Sequence, residues 1–289
     1  KTMAYIGLES EGLRQQVADY YNCMARLDDL VGELLAKLKA SGKYDDTLIV
    51  YMGDHGADLI RGKRTCYEGG VRVPLIVRLP KGKAGQERRE LVSSLDLFPT
   101  FLEMSGVEPV PDLPGSSLLP LLRGEKPKWR QYMPTEFHLH SAHNYYPQRA
   151  IRNDRYKLIE NLQPGEVDPG YEFTVNRFFG QQVLAALPRA PKKVQVAYAL
   201  MKRPPKYQLY DLQMDPYEFV NLAKDPVHRS AFDELSTELT RWRRATHDPL
   251  LNQDNVSRLK AEIDAIRQGN DFNKAKIGQW KYPEYFFNK

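Results

Sequence analysis

Thr47-Leu48-Ile49-Val50-Tyr51-Met52-Gly53-Asp54-His55-Gly56 decides the fold class, because a short run of β-formers passes straight into a polar turn flanked by glycines. Such a run reads as a buried strand, and the carboxyl end of a buried strand is where open α/β sheets place ligands. Upstream, Leu13, Val17, Tyr20, Met24, Leu27, Val31, Leu34 and Leu38 advance by threes and fours, which predicts one face of a long helix over 12–40. Ser41-Gly42 supplies its stop. Downstream, Val71 to Leu79 lies between Gly69-Gly70 and Pro80 and predicts a second strand, with a helix from about Ser94 to Met104 after it. The first hundred residues therefore read as α/β.

Past Ser105-Gly106 the pattern breaks on Pro109, Pro111, Pro114, Pro120 and Pro127, which places a boundary here and divides the chain into 1–124 and 125–289. Beyond it, Gln148 to Arg152 and Tyr156 to Asn161 flank Asn153-Asp154, the signature of a hairpin. Tyr207 to Leu212 predicts a further strand, and Phe232 to Arg244 and Val256 to Gln268 predict helices. Pro164 to Pro205 yields no assignment.

Composition excludes several classes. With 289 residues, 42% hydrophobic, the chain can bury a sizeable core and is not disordered in the main. The longest apolar runs fall far short of the 18 or more residues of a membrane helix, so no membrane span is expected. Lys1 to Glu11 has no apolar stretch, consistent with no signal peptide or one already removed. Two cysteines, Cys23 and Cys66, permit at most one disulfide and no Cys-rich zinc site. A net charge of +5 points only weakly to a polyanionic partner, and without a recognisable module no nucleic-acid partner is expected.

Three groups of residues could carry chemistry. Asp54 and His55 sit between glycines, so both side chains can converge on one cation, or Asp54 can cap the next segment instead. Lys63, inside Arg61-Gly62-Lys63-Arg64-Thr65-Cys66-Tyr67-Glu68-Gly69-Gly70, would hold a tetrahedral oxyanion if returned to that turn, or else belongs to a solvated basic loop. His138, His140 and His143 are spaced closely enough for a zinc site, or belong to an ordinary loop. Arg72 reads as a brace for the second strand, and Tyr145 and Tyr146 as packing.

Gly-Asp-His-Gly followed by Gly-Lys-x-Thr-x-Tyr-Glu-Gly-Gly-Val-Arg-Val-Pro resembles a segment of the type I sulfatases, with Glu68 to Pro74 its most specific part. Leu209-Tyr210-Asp211-Leu212, Asp215-Pro216, Glu218 and Asn221-Leu222-Ala223 are similar to that family's C-terminal strand and turn. Within the family, Tyr145 to Ala150 and Thr246-His247-Asp248-Pro249 resemble the heparan N-sulfatase subgroup. The resemblance implies an α/β fold: the C-terminal part of an alkaline phosphatase-like mixed sheet core, plus a smaller α+β subdomain with an antiparallel sheet. It implies Ca²⁺ ligation by Asp54 and His55, sulfate contact by Lys63, and a substrate-facing loop carrying His138, His140 and His143; Arg61 is a further candidate for substrate contact. A sulfated glycan is the implied partner, and a secreted, periplasmic or lysosomal setting the implied location.

Sulfatases make a formylglycine nucleophile from Cys or Ser in Cys/Ser-x-Pro-x-Arg, and no cysteine or serine of this chain lies in that motif. The family's paired aspartates are also absent, and no histidine precedes His55. The resemblance therefore implies that Lys1 begins partway through a longer enzyme whose N-terminal part carries the nucleophile. Alone, the chain is expected to bind metal poorly, to be inactive, and to expose the faces of Leu48 to Met52 and Val73 to Val77, because most of the family's parallel sheet is missing. Two alternatives stand beside the sulfuric ester or sulfamate hydrolase: a phosphodiester or phosphonate hydrolase of the same superfamily, and a non-catalytic sulfoglycan binder using Lys63, Arg61 and the 138–143 loop.

Overall fold

The three-and-four spacing that begins at Leu13 becomes one long helix, α1 (Glu11–Ala40), in the computed structural model. The structure describes every residue except 83, 109, 142–143, 177–179, 269–280, 282–283 and 285–289. α1 stops where Gly42 turns left-handed (φ 73°), a conformation a Cβ would strain. Its apolar face is used unevenly: Leu13 and Val17 are buried, whereas Leu30 and Leu34 are 62% and 66% exposed.

Strand β1 (Ile49–Met52) ends just before the Gly53-Asp54 turn. The segment expected as one strand from Val71 divides into a one-turn helix, α2 (Glu68–Val71), and β2 (Leu75–Arg78). The two strands pair antiparallel with each other, Ile49 opposite Arg78 and Met52 opposite Leu75. Tyr51 and Ile76 face each other in that register and remain 36% and 64% exposed. Helices α3 (Leu97–Met104) and α4 (Leu119–Leu122) follow. Ahead of α3, Ser93 and Asp96 cap each other, and Arg130 grips both oxygens of the fully buried Asp96 at 2.6 and 2.5 Å.

A second sheet runs in the order β3 (Met133–Phe137), β4 (Gln148–Arg152), β5 (Tyr156–Asn161), β6 (Tyr207–Asp211). The hairpin forms where the sequence places it: Asn153 Oδ1 accepts the amides of Arg155 and Tyr156 and fixes the turn. β4–β5 and β5–β6 are antiparallel. The stretch without a sequence assignment holds α5 (Pro169–Val175), α6 (Gly180–Ala186) and α7 (Lys192–Lys202), and the chain continues through α8 (Arg229–Ala245) and α9 (Gln253–Gln268). Val256, Leu259 and Ile263 of α9 close over Tyr145, Leu162 and Leu250.

Strand alternation sorts the second sheet's polar residues onto two faces. Gln148 and Arg152 of β4 share one face with Asn161 and Lys157 of β5, their register partners, while Arg149 and its partner Glu160 point to the other. Both faces are covered, so β4 and β5 are almost wholly buried. Packing gathers the chain into two compact units that interleave along the sequence. One comprises Lys1–Gln16, His55–Arg72 and Pro134–Lys289; the other comprises Val17–Asp54 and Val73–Met133. Among the described residues no helix is long and apolar enough to cross a membrane.

Candidate functional site

The loop from His55 to Arg72 is built chiefly from its own backbone. Gly56 N–H donates to Gly70 O at 2.9 Å, Lys63 N–H to Ala57 O at 2.9 Å, and Thr65 Oγ1 to Gly62 O at 2.8 Å. The chain approaches itself so closely that a Cβ on Gly56 would lie 1.8 Å from Gly69 O, which is why glycine is required there. Arg61 (φ 62°) and Arg64 (φ 72°) both adopt left-handed backbone, unusual for such side chains. Strain of roughly 1–3 kcal/mol per residue must be held in place by the surroundings. Lys63, half-buried, lies between these two strained residues.

The hold comes from the first face of the second sheet. Cys66 N–H donates to Gln148 Oε1 at 3.2 Å, and Gln148 in turn donates to Asn161 Oδ1 at 2.7 Å. Gln208 Nε2 donates to the hydroxyl oxygens of Tyr67 and Tyr210 at 3.0 and 2.9 Å. Beside this amide ladder, Glu68 receives Lys157 Nζ at 2.9 Å and Arg152 Nη1 at 2.6 Å, and its own amide donates to Glu218 Oε2 at 2.7 Å. Lys157 Nζ also lies 3.3 Å from Glu218 Oε1. Burial pushes Glu68 upward, but Lys157 and Arg152 outweigh it and hold its carboxyl below the usual range. Glu218, fully enclosed, is pushed up by burial despite Lys157. Burial works against the Lys157 ammonium, yet Glu218 and Glu68 raise it overall, so it stays charged.

Arg61 belongs to this scaffold and not to a substrate surface. It is 2% exposed, with Nε donating to Tyr5 O at 3.1 Å and Nη2 to Tyr217 O and Glu218 O at 2.8 and 2.9 Å. Its guanidinium also stacks 4.5 Å from the Tyr67 ring centroid. Substrate contact by Arg61 is thereby corrected: three carbonyls and a ring consume the cation inside the fold. The motif around Lys63 and the motif at Asp215–Ala223 are consequently two halves of one contact, through Arg61 and Glu68.

On the opposite face a second network joins the other pair of motifs. Arg149 Nε and Nη2 donate to the two Asp248 oxygens at 2.9 and 2.7 Å, and Arg243 donates to Asp248 at 2.7 Å and to Glu160 at 2.7 Å. Burial raises Asp248, but the hydrogen bonds and charges of Arg149 and Arg243 leave its carboxyl lowered. Glu136 lies 3.3 Å from Arg149 and 3.8 Å from His138 Nε2. His138 is pulled down to about 4, by burial first and by the Arg149 charge second, so its imidazole is neutral at neutral pH. His140 is exposed, and its amide donates to Asn144 Oδ1 at 3.0 Å. His143 lies outside the described residues. Tyr145 and Tyr146 are buried, as the packing reading has them, with Tyr146 donating its hydroxyl to Gln163 O at 2.7 Å.

Asp54 and His55 are both exposed, and His55 Nδ1 sits 2.7 Å from Gly56 O, engaging that ring nitrogen with backbone. Calcium takes six to eight oxygen ligands. One carboxylate and one imidazole do not supply them, and among the described residues no group of three or more His, Cys, Asp or Glu could hold a metal. This donor set does not by itself fit a calcium ion.

Sequence reading missed Lys157, Glu218 and Gln148 as site-shaping residues. Glu218 falls inside a family-like motif but carries no role in it, and a lysine in an otherwise apolar strand, Tyr156-Lys157-Leu158-Ile159, is the signal that could have been followed.

Residues 4–107 match the Sulfatase family model. The chain is 31% identical over 257 residues to human N-sulphoglucosamine sulphohydrolase, covering 82% of this chain and 49% of that protein. It is 31% identical over 252 residues to an ulvan-active sulfatase of Formosa agariphila, covering 83% of this chain and 40% of that protein. Its fold is similar to a crystal structure from Bacteroides thetaiotaomicron described as a sulfatase, with a TM-score of 0.64 at 24% identity over 84% of this chain and 46% of that one. The chain belongs to the type I sulfatase family, whose members are hydrolases, and has the α/β fold of its alkaline phosphatase-like superfamily. It spans about half the length, or less, of the curated relatives it matches.

Proposed function

We propose that this chain serves the hydrolysis of a sulfate ester or sulfamate on a glycan, with N-sulfoglucosamine of heparan sulfate as the first substrate to try. The observation that carries the reading is the Lys63 loop: a lysine of intermediate exposure between two arginines with left-handed backbone, on a loop fixed to the sheet by buried charge. A cation carried on a fixed backbone suits the developing charge on sulfate oxygens, because the backbone that carries it is already in place as the reaction proceeds. The similarity to human N-sulphoglucosamine sulphohydrolase supports the choice of substrate.

In this reading Lys63 holds the sulfate, and His138, His140 and His143 belong to the substrate rim, His138 as a neutral hydrogen-bonding group. Asp54 and His55 contribute two donors to a calcium site that requires further ligands from outside this chain. Those ligands and the formylglycine belong to an N-terminal part of the same enzyme. The exposed apolar side chains of Leu30, Leu34, Tyr51 and Ile76, the last two paired across β1 and β2, are available for such an association. The division at 124/125 expected from the sequence then gives way to the two interleaved units, with Lys63 in the unit that contains 134–289, and the chain alone turns nothing over.

The test is sulfate release from an aryl sulfate and from N-sulfoglucosamine, by this chain alone and joined to a nucleophile-bearing sulfatase N-terminal half. The joined protein should release sulfate, and Lys63→Ala should reduce kcat/KM by roughly 10²-fold or more with unchanged thermal stability. Full activity in Lys63→Ala would remove the sulfate-contact role. Faster release of phosphonate monoester products than of sulfate would move the chain to the other branch of the superfamily.

A further inference from the structure

The chain's basic excess is not spread over its surface. Between Glu172 and Asp211 the sequence has no acidic residue, yet it carries seven Lys and Arg; the rest of the chain has slightly more acids than bases. Six of the seven are described, and all are exposed: Arg189, Lys192, Lys193, Lys202, Arg203 and Lys206. They fall into two clusters of three at the ends of α7, and Lys192 and Lys202 are about 15 Å apart at 1.5 Å per residue.

The helix between them is firmly seated. Val194, Ala197, Tyr198 and Met201 form its buried stripe, and Tyr198 Oη donates to Ile6 O at 2.8 Å. The Tyr198 ring lies 6.0 Å from the guanidinium of Arg61, two residues before Lys63. α7 thus braces the candidate site loop with one face and holds cations outward around the other. Only local contacts engage the cations, such as Arg203 Nη1 to Gly165 O at 3.1 Å and Lys206 over the Tyr207 ring, and neither neutralises charge. None of the six makes an ion pair among the described residues.

We propose that the α7 strip, Arg189 to Lys206, is a docking surface for the chain of a sulfated polysaccharide, separate from the Lys63 site. Two cationic clusters at a fixed separation on a rigid helix match a linear polymer bearing repeated anions, whose bound counterions are released on contact. A nucleic acid fits less well: the outward residues between the clusters include Val196 and Ala199, and Tyr198, the one aromatic residue of α7, is buried, so the helix itself offers no ring for base stacking. The choice of sulfated glycan over other polyanions rests on the proposed reaction at Lys63.

The experiment is calorimetric titration of the full chain with heparin across a salt series, with hyaluronan and a DNA duplex as unsulfated polyanions and N-sulfoglucosamine as a single-site probe. Substituting all six cations by Gln should weaken heparin binding roughly tenfold or more and flatten its salt dependence. Thermal stability should not change. Unchanged heparin affinity in the six-fold variant would overturn the proposal, as would DNA or hyaluronan binding as tight as heparin. Heparin bound through the strip, with no sulfate released from N-sulfoglucosamine by the chain joined to a nucleophile-bearing sulfatase N-terminal half, would sink the reading of the Lys63 site and leave the strip standing. The reverse result would do the opposite.

Discussion

The two sheets of this molecule treat their surroundings in opposite ways. The four-stranded sheet has both faces covered and places ionisable groups inside: Lys157, Glu68 and Glu218 on one face, Arg149, Asp248 and Arg243 on the other. The β1–β2 pair is barely buried and leaves apolar side chains such as Tyr51 and Ile76 in contact with solvent. Buried charge costs desolvation and is tolerated only where partners are held in place. Exposed apolar surface costs little in an isolated chain but favours association. The unit that carries Lys63 thus satisfies its buried charges internally, whereas the unit that carries β1 and β2 keeps apolar side chains at solvent.

The sharpest way to break this contrast is to remove one charge. Lys157→Met leaves Glu68 and Glu218 facing each other without their shared cation, and urea unfolding should show a loss of about 3–5 kcal/mol. A loss under about 1 kcal/mol would mean that the network is wet and the contrast overstated.

Next in size is a pH effect. His138 is depressed to about 4 in the folded protein, against about 6.5 unfolded, so the unfolded chain binds the extra proton between those values. Its contribution is complete above about pH 6.5 and is lost as pH falls towards 4. Asp168, raised by burial to about 7, acts with the opposite sign over much of this range. The measurement is therefore a difference: stability of the native protein minus that of His138→Gln should rise by up to about 3 kcal/mol from pH 4 to pH 6.5. A flat difference would show that the imidazole is solvated.

Gly56→Ala tests the loop without touching a charge. The added Cβ must displace Gly69 O, so about 2 kcal/mol of stability should be lost, with amide exchange accelerated at Lys63 and Gly70 before the sheet responds. The smallest effect belongs to the other sheet's unit. Leu34→Gln should change stability by no more than about 0.5 kcal/mol while reducing self-association in sedimentation. A large destabilisation there would mean that α1 is packed in solution.

Much of this contrast could be read from the sequence, and the remainder failed for identifiable reasons. Periodicity located α1 and α8, and the Asn-Asp turn located the β4–β5 hairpin, because these features depend on neighbours in sequence. β3 escaped because Pro134 argues against a strand unless the strand lies at an edge, and edge position is a tertiary fact. The helices between Pro164 and Pro205 escaped because short mixed segments gain their stability from what they pack on. Within the site, the tight loop around Lys63 was legible through its glycines, while Arg61 was misread. A cation in a polar loop looks solvated, and nothing local announces that the carbonyls of Tyr5, Tyr217 and Glu218 converge on it. Motifs at 145–150 and 246–249 could be matched to a subgroup but not interpreted until Arg149 and Asp248 proved to be partners.

Cys66 adds a practical consequence. It sits in the middle of the Lys63 loop, fully enclosed, with burial pushing its thiol up to about 11, while Cys23 on α1 is exposed. An alkylating reagent should therefore modify Cys23 at once and reach Cys66 only in the fraction of molecules whose loop has lifted from the sheet. With Cys23 replaced by serine, the chain would carry an internal clock: the slow alkylation rate, divided by that of the unfolded polypeptide, gives the opening equilibrium of the candidate site directly, with no substrate required.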